Sequence, residues 1–492
     1  MKQLLITLGH NSSAVLVEDK QVLVGYEEER LSGVKADSSF PKLAINRILK
    51  YYPEARYEVD TIYVSHWFWG FDLEESKYYQ PKFLKAKFVN AKVKSVDYYN
   101  THHDLHARSV WNFCDGDKSG LTIVADGFGN CGECLSIYKD GELDWRSYSV
   151  NASLGLMYQY ATAYLGMKEN QDEYKLLGYE TKASEDFKLN IVDKINDTSN
   201  KLLNILFNHS SMNLTGHEGM IKQLAGIRRY WYGLFSTISK EKAEIAYFVQ
   251  SVLENVILEI LNMYNCKNIK CSGGVFYNVK LNNRILEYAD TLEVNPLSGD
   301  QGCALGFIDV DFGDLAWGIR PIIFGEGKYA EDIIREISEQ GYSEIIMGNM
   351  EFGPRALGHT TCLALPTMEM VDTINKLNGR DTVMPMAPMV TEEVANSLFV
   401  GTDKVGKSKE FMIIAFDYVE MNEGIRGAAH KHPDKDVYTG RIQVVKSGLL
   451  KEVLEHFGGI LINTSLNAHG QPIIYNRQDY DYMKYIQDSQ NS

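Results

Sequence analysis

The stretch Leu121-Thr122-Ile123-Val124-Ala125-Asp126-Gly127-Phe128-Gly129-Asn130 decides the fold. An apolar, β-favouring run stops abruptly at a carboxylate that opens a glycine-rich loop. Downstream, Cys134–Tyr138 reads as a strand, Asp140-Gly141 as a hairpin turn, and Leu143–Val150 as the returning strand. Upstream, the order is the same near the start of the chain. Leu4–Leu8 is apolar, Gly9-His10-Asn11 is the polar loop, and Ala14–Val17 is a strand. Glu18-Asp19-Lys20 then makes a turn into Val22–Tyr26.

Two copies of strand, polar loop and hairpin match the duplicated actin-like (ASKHA) α/β fold, although two unrelated hairpins could give the same pattern. In that fold each first hairpin offers backbone N–H groups to nucleotide phosphates. Further along, Lys242–Asn265 repeats apolar residues at helical spacing. Asn268–Cys271 reads as a strand that opens into Ser272-Gly273-Gly274, a glycine pair suited to a phosphate or adenosine cradle. Glycine, proline and acidic residues concentrate over Asp309–Gly327. The reading is therefore one unit over residues 1–330 and a second over 340–492.

The chain has 492 residues and a formal net charge of −15, with 45% hydrophobic and 23% charged residues. These values are those of a globular chain with more than one core. An acidic balance argues against nonspecific nucleic-acid or membrane-surface binding, while leaving room for a local basic pocket. No apolar run approaches a membrane span and no signal-peptide pattern opens the chain, so the expectation is a cytoplasmic protein. Seven cysteines are an odd, sparse set that fits reduced thiols. Cys131…Cys134 and Cys266…Cys271 could in principle form a zinc ribbon, although the second spacing is loose.

His102-His103-Asp104-Leu105-His106 carries the first chemistry. On a helix, His102 and His106 share one face and can share one metal ion. The segment lacks the Glu that a zinc-protease helix uses as base. Asp126 and Asp300, the latter in Ser298-Gly299-Asp300-Gln301-Gly302, are candidate further ligands. A His/Asp set suits iron, manganese or zinc alike. Solvated polar side chains and loop caps are the plain reading of the same residues.

In the second unit, Pro354 and Gly353 stiffen the chain around Arg355 in Glu351–Gly358. Arg380 and Arg441 add two guanidiniums, and Asn463-Thr464-Ser465-Leu466-Asn467 is read as a strand-end loop. One arginine is usually a surface charge. Three near neutral amides in an acidic chain indicate an anion pocket.

With these segments, the chain resembles the O-carbamoyltransferases of nodulation and antibiotic biosynthesis (NodU/CmcH type). The resemblance is carried in order by Gly9–Ala14, Glu28–Arg30, His102–Ala107, Asp126-Gly127 with Gly132-Glu133, Ser153–Gly155 and Glu173–Lys175. It continues through Gly273–Val275 with Asn278, Gly299-Asp300, Glu351–Gly358, Pro385–Pro388, Thr439–Gln443 and Asn463–Pro472. Asn11 replaces the family's usual Asp, and Ala36 a His.

The resemblance implies a YrdC-like C-terminal domain that makes carbamoyl adenylate from ATP and carbamoyl phosphate. It implies an N-terminal domain that passes the carbamoyl group to a hydroxyl. His102, His106, Asp126 and Asp300 would then ligate a divalent metal, iron(II) in the family. His10, Lys35, Arg355 and Arg441 would be catalytic. Gly127, Gly132, Glu133, Lys175, Gly273, Gly274, Asn278, Arg380, Asn463, Ser465 and Asn467 would line the cofactor sites. The expected partner is a small-molecule or nucleotide acceptor, such as a hydroxymethylated nucleobase, with a homodimer as the candidate assembly. The alternatives are an actin-fold small-metabolite kinase and a non-catalytic protein that retains the fold.

Overall fold

The computed structural model describes residues 1–68, 70–213, 216–321, 328–379 and 386–491. Two five-stranded sheets repeat one plan. The first contains β1 (Lys2–Thr7), β2 (Ser13–Glu18), β3 (Gln21–Glu27), β4 (Val59–Ser65) and β5 (Lys92–Ser95) in the order β3-β2-β1-β4-β5. The second contains β6 (Leu121–Ala125), β7 (Leu135–Lys139), β8 (Glu142–Ser147), β9 (Asn268–Ser272) and β10 (Thr291–Val294) in the order β10-β9-β6-β7-β8. The directions agree as well. β1–β2, β2–β3, β6–β7 and β7–β8 are antiparallel, whereas β1–β4, β4–β5, β6–β9 and β9–β10 are parallel.

The likeness extends to turn chemistry. Each hairpin turns on two left-handed residues, Asp19-Lys20 (φ 48° and 73°) and Asp140-Gly141 (φ 49° and 86°). That is the backbone that lets a two-residue turn follow the twist of its strands. Each hairpin also slips register once, at Leu16/Val17 and at Ile137/Tyr138. A shared strand order, shared directions, turn and bulge identify a duplicated actin-like unit, where the sequence left two unrelated hairpins open.

The third sheet belongs to the second unit. It contains β11 (Tyr342–Ile346), β12 (Thr360–Ala364), β13 (Ala387–Thr391), β17 (Gln443–Val445) and β18 (Ile460–Ser465), ordered β11-β12-β18-β13-β17. A small sheet of β14 (Phe416–Asp417), β15 (His430–Lys431) and β16 (Tyr438–Gly440) lies apart from it. The helices Ala330–Gln340 and Leu449–His456 cover one face, and Ile333, Ile337, Leu363, Met389 and Val453 form its core. The helix Ala330–Gln340 packs on β11 and on the helix Leu449–His456. The two units also share core. Ile473 and Tyr475 run back into the first, and the Tyr475 hydroxyl donates to the Ile319 carbonyl at 2.9 Å.

Parallel strands end on the same side, and ligands collect beyond such ends. The loops after β1, β6, β9 and β10 all open there, facing the helix His102–Phe113. The segment Asp300–Phe307 crosses that helix at close range. A Cβ on Gly306 would lie 2.1 Å from the Leu105 carbonyl oxygen. Ser109 Oγ donates to the Gly302 carbonyl at 3.2 Å, and Asn112 Nδ2 to Leu305 and Ile308 at 3.0 and 2.7 Å. Gly306→Ala should therefore destabilise the fold by about 1–3 kcal/mol. Thermal unfolding checks this, with a fall of several degrees in Tm expected.

Candidate functional site

The four expected ligands converge. His102 and His106 Nε2 atoms lie 3.1 Å apart. His102 Nε2 is 3.5 Å from Asp126 Oδ2 and 3.3 Å from Asp300 Oδ1, while His106 Nε2 is 3.4 and 3.8 Å from the same atoms. A cation with bonds of about 2.1 Å in tetrahedral geometry spaces its donors by about 3.4 Å. The donor set therefore fits a divalent metal in both chemistry and spacing.

The far ring nitrogens reinforce this orientation. His102 Nδ1 faces the Cys303 thiol and His106 Nδ1 the Ser272 hydroxyl, each at 3.5 Å. Such outer partners fix an imidazole's tautomer and aim its lone pair. Burial works against a charge on His106, but Cys303 and the two carboxylates outweigh it and raise the imidazole to about 9. Burial likewise works to raise Asp126, yet the two histidines hold it well below the usual carboxylate range. Each carboxylate and imidazole is thus drawn toward its charged form by the others. A cation at the centre replaces the protons.

Local sequence explains the helix that carries the pair. Thr101 caps it, accepting from the Asp104 amide, while the Asp104 carboxylate accepts from the Thr101 amide at 3.0 Å. The next free amides meet the loop after β6. Asn130 Oδ1 accepts from the His102 amide and Glu133 Oε1 from the His103 amide, both at 2.8 Å. Arg146 ties the assembly together, donating to Asp104 Oδ1 at 2.5 Å and Thr101 Oγ1 at 3.0 Å. Glu133 is 0% exposed. Glu133 and Gly132 do not line the cavity, contrary to expectation. The reason is that the helix amides and Arg146 need a buried acceptor there.

A cavity of about 520 Å³ runs from Asp126 and Asp300 to Arg355 and Arg441. His10, Lys35, Gly127, Lys175, Gly274, Asn278, Asn463, Ser465 and Asn467 also line it. Several of these are engaged in holding backbone. Asn278 Oδ1 caps the helix Val279–Tyr288 through the Leu281 amide at 3.0 Å. Gly273 does not line the cavity; at φ 99° it lets β9 approach β6, where a Cβ would meet the Ala125 carbonyl oxygen at 2.3 Å. A Cβ on Gly274 would lie 3.0 Å from Asp126 Oδ1. Lys175 pairs with Asp172 at 3.0 Å. Arg380 lies outside the described residues, as does Pro385.

The loop around Arg355 is built by buried acceptors and amides. Glu351 accepts from the Leu357, His359 and Thr360 amides at 2.8–2.9 Å. Asn463 Nδ2 donates to the Ala356 carbonyl and Gln443 Nε2 to the Leu357 carbonyl, at 2.8 and 2.9 Å. Asn463 and Ser465 were expected in a strand-end loop. They belong to β18 instead, because Thr464 and Ser465 still pair with β12. From the first unit, Glu27 Oε2 accepts from the Gly353 amide at 2.9 Å, and Arg30 donates to its carbonyl at 2.6 Å.

Burial depresses the Arg355 guanidinium, with only the Tyr277 phenol opposing. Burial, then repulsion from Arg355, holds Arg441 well below its usual value. Arg355 Nε is buried without a hydrogen-bond partner. Among the described residues neither arginine forms an ion pair, and two neighbouring half-buried cations of this kind can hold an anion. The sequence did not single out Cys303, Ser272, Glu27, Gln443 or Tyr277. Glu173 also lines the cavity, and burial pushes its carboxyl up to about 7.

Comparison with known proteins agrees with this geometry. A family profile described as Carbamoyltransferase N-terminus matches residues 75–308, and one described as Carbamoyltransferase C-terminus matches residues 335–489. An uncharacterised protein of Methanocaldococcus jannaschii is 29% identical, with 96% of this chain and 94% of that protein covered. Nodulation protein NolNO of Sinorhizobium fredii is 26% identical, with 95% and 75% covered. Among solved structures, the (R)-2-hydroxyglutaryl-CoA dehydratase component A of Acidaminococcus fermentans is 12% identical. It covers 62% of this chain and 95% of its own, with a TM-score of 0.35. The chain belongs to the carbamoyltransferase family.

Replacing His102 or His106 by Ala should cut bound metal at least tenfold while the far-UV spectrum stays native. Elemental analysis of the purified variants checks this. Arg146→Met should cost about 3–5 kcal/mol in urea unfolding, because it leaves Glu133 and Asp104 buried without their cation.

Proposed function

We propose that this carbamoyltransferase-family chain converts carbamoyl phosphate, ATP and one water to carbamoyl adenylate, pyrophosphate and inorganic phosphate, and then transfers the carbamoyl group to an acceptor hydroxyl. Adenylate formation is assigned to the second, YrdC-like unit and transfer to the first. One observation carries the reading: a single cavity is lined by Asp126 and Asp300 together with Arg355 and Arg441. Both carbamoyl phosphate and a carbamoyl adenylate are anions that water destroys. A chamber with a cationic wall binds them and excludes water.

In this reading Arg355 and Arg441 hold the phosphates, with Ser465 and Asn467 beside them. The two amide braces, Asn463 and Gln443, keep the Arg355 loop in position. His102, His106, Asp126 and Asp300 hold a divalent metal, iron(II) by family likeness, which when bound offers positive charge to phosphate oxygens. His10 and Lys35, which line the cavity, are assigned to the acceptor. Glu173 lines the same cavity, and a carboxyl near neutrality suits removal of the acceptor proton. The hydroxyl oxygen forms a bond to the carbamoyl carbon, the bond to the phosphate oxygen breaks, and AMP leaves with the electron pair. A hydroxymethylated nucleobase or nucleotide is the acceptor class we favour. A homodimer is the assembly to test alongside it.

Two measurements check this. Incubation with ATP, carbamoyl phosphate and an acceptor panel should yield AMP, pyrophosphate and a carbamoylated product by mass spectrometry. ADP formed with an acceptor alone would instead indicate a kinase. Arg355→Ala and Arg441→Ala should lower carbamoyl-phosphate-dependent pyrophosphate release about 100-fold or more with the fold retained. Unchanged release in both variants would count against the anion-site assignment. The transfer step should rise with pH through about 7 as Glu173 ionises, and Glu173→Gln should flatten that limb.

A further inference from the structure

Residues 76–96 carry Lys77, Lys82, Lys85, Lys87, Lys92 and Lys94 and no acidic residue, in a chain whose formal charge is −15. The segment forms the helix Pro81–Lys87 and β5, the open edge of the first sheet. Lys77, Lys82, Lys85, Lys92 and Lys94 are exposed. Among the described residues, none of the six forms an ion pair.

Three of the six ammonium groups lie over rings instead. Lys77 is 4.9 Å from the Tyr78 centroid, Lys87 is 5.4 Å from Phe83 and Lys94 is 5.6 Å from Tyr63. From the neighbouring helix Lys42–Tyr51, Lys42 adds a contact to Phe83 and Lys50 one to Tyr51, each at 5.8 Å. Beyond β5, Tyr98 and Tyr99 are 64% and 85% exposed and lead directly into the metal-bearing helix. Arg108 on that helix holds the Tyr99 carbonyl at 3.3 Å and Asn100 Oδ1 at 2.6 Å.

Edge lysines also deter strand pairing between molecules. That accounts for Lys92 and Lys94, which sit on β5, but not for Lys77, Lys82, Lys85 and Lys87. A membrane surface would need an apolar face beside the lysines. Within 76–96 the exposed large aliphatic residues are Val89 and Val93 alone. Cations interleaved with half-buried rings and followed by the exposed Tyr98 and Tyr99 instead match a phosphate backbone with unstacked bases, where lysines track the backbone and tyrosines stack on the bases.

We propose that this basic, aromatic edge docks single-stranded nucleic acid. The surface chemistry stands apart from the carbamoyl-transfer reading. Taken with it, the acceptor hydroxyl would be carried on a polynucleotide rather than on a free small molecule.

The test is fluorescence anisotropy of a labelled oligodeoxythymidylate of about 20 nucleotides with the full chain, at salt between about 50 and 200 mM. Saturable binding that weakens with salt is expected. The variant Lys82→Glu/Lys85→Glu/Lys92→Glu/Lys94→Glu should bind at least tenfold more weakly. Its log–log salt slope should be shallower by roughly 3, at about 0.7 per lost phosphate contact. Tyr99→Ala should weaken binding several-fold and leave that slope unchanged. The quadruple variant should keep wild-type pyrophosphate release with ATP and carbamoyl phosphate, which separates loss of docking from loss of adenylate formation. Absence of saturable binding at low salt, or equal binding by the quadruple variant, would overturn the proposal. So would tighter capture by anionic vesicles or duplex DNA than by the single strand.

Discussion

The site depends on one junction, where the loop after β6 meets the first turn of the helix His102–Phe113. A helix start leaves amides without partners. Here Thr101, Asn130 and Glu133 each accept from one of them, and Arg146 neutralises the carboxylates brought in to do so. The same loop begins with Asp126. Capping therefore also sets the distance from that carboxylate to both imidazoles. Asn130 further donates to the carbonyls of His66, Phe68 and Gly70, which locks the segment after β4 into the same junction. Four ligand atoms on three separate segments reach a common centre because backbone hydrogen bonds, not the ligands, hold those segments.

The second unit solves a different problem. Arg355 and Arg441 are half-buried neighbours that repel each other. The Arg355 loop is held by the Asn463 amide and by Glu351, which accepts from three backbone amides and faces Arg320 at 3.8 Å. Glu27 and Arg30 of the first unit grip Gly353, so the loop is part of the interface as well as the pocket. The first unit thereby sets the position of a group that acts in the second.

The duplication and the pairing of His102 with His106 on one helix face were legible because hairpin turns and helical spacing are local codes. Asp140-Gly141 announces its turn, and His102 and His106 announce one face. The braces were not legible. Glu133 looked like a cofactor residue, and its need for the amides of a helix 30 residues earlier is visible only in three dimensions. Asn463 looked like a ligand, yet its amide holds the Ala356 carbonyl across the sheet. Cys303 carried no signal, since its partner is the far side of an imidazole remote in sequence. Sequence reveals residue types suited to chemistry. It does not distinguish those that touch a ligand from those that touch the residues that do.

The return of Ile473 and Tyr475 into the first unit's core has a consequence for how such chains can be rearranged. The Tyr475 ring meets Tyr26 edge-on at 6.0 Å, beneath the sheet that carries His10. A hybrid assembled from one relative's first unit and another's second would import a foreign plug into that core. A recombination point that preserves the fold must therefore carry residues 473–475 with the half they seal rather than the half they follow in the chain.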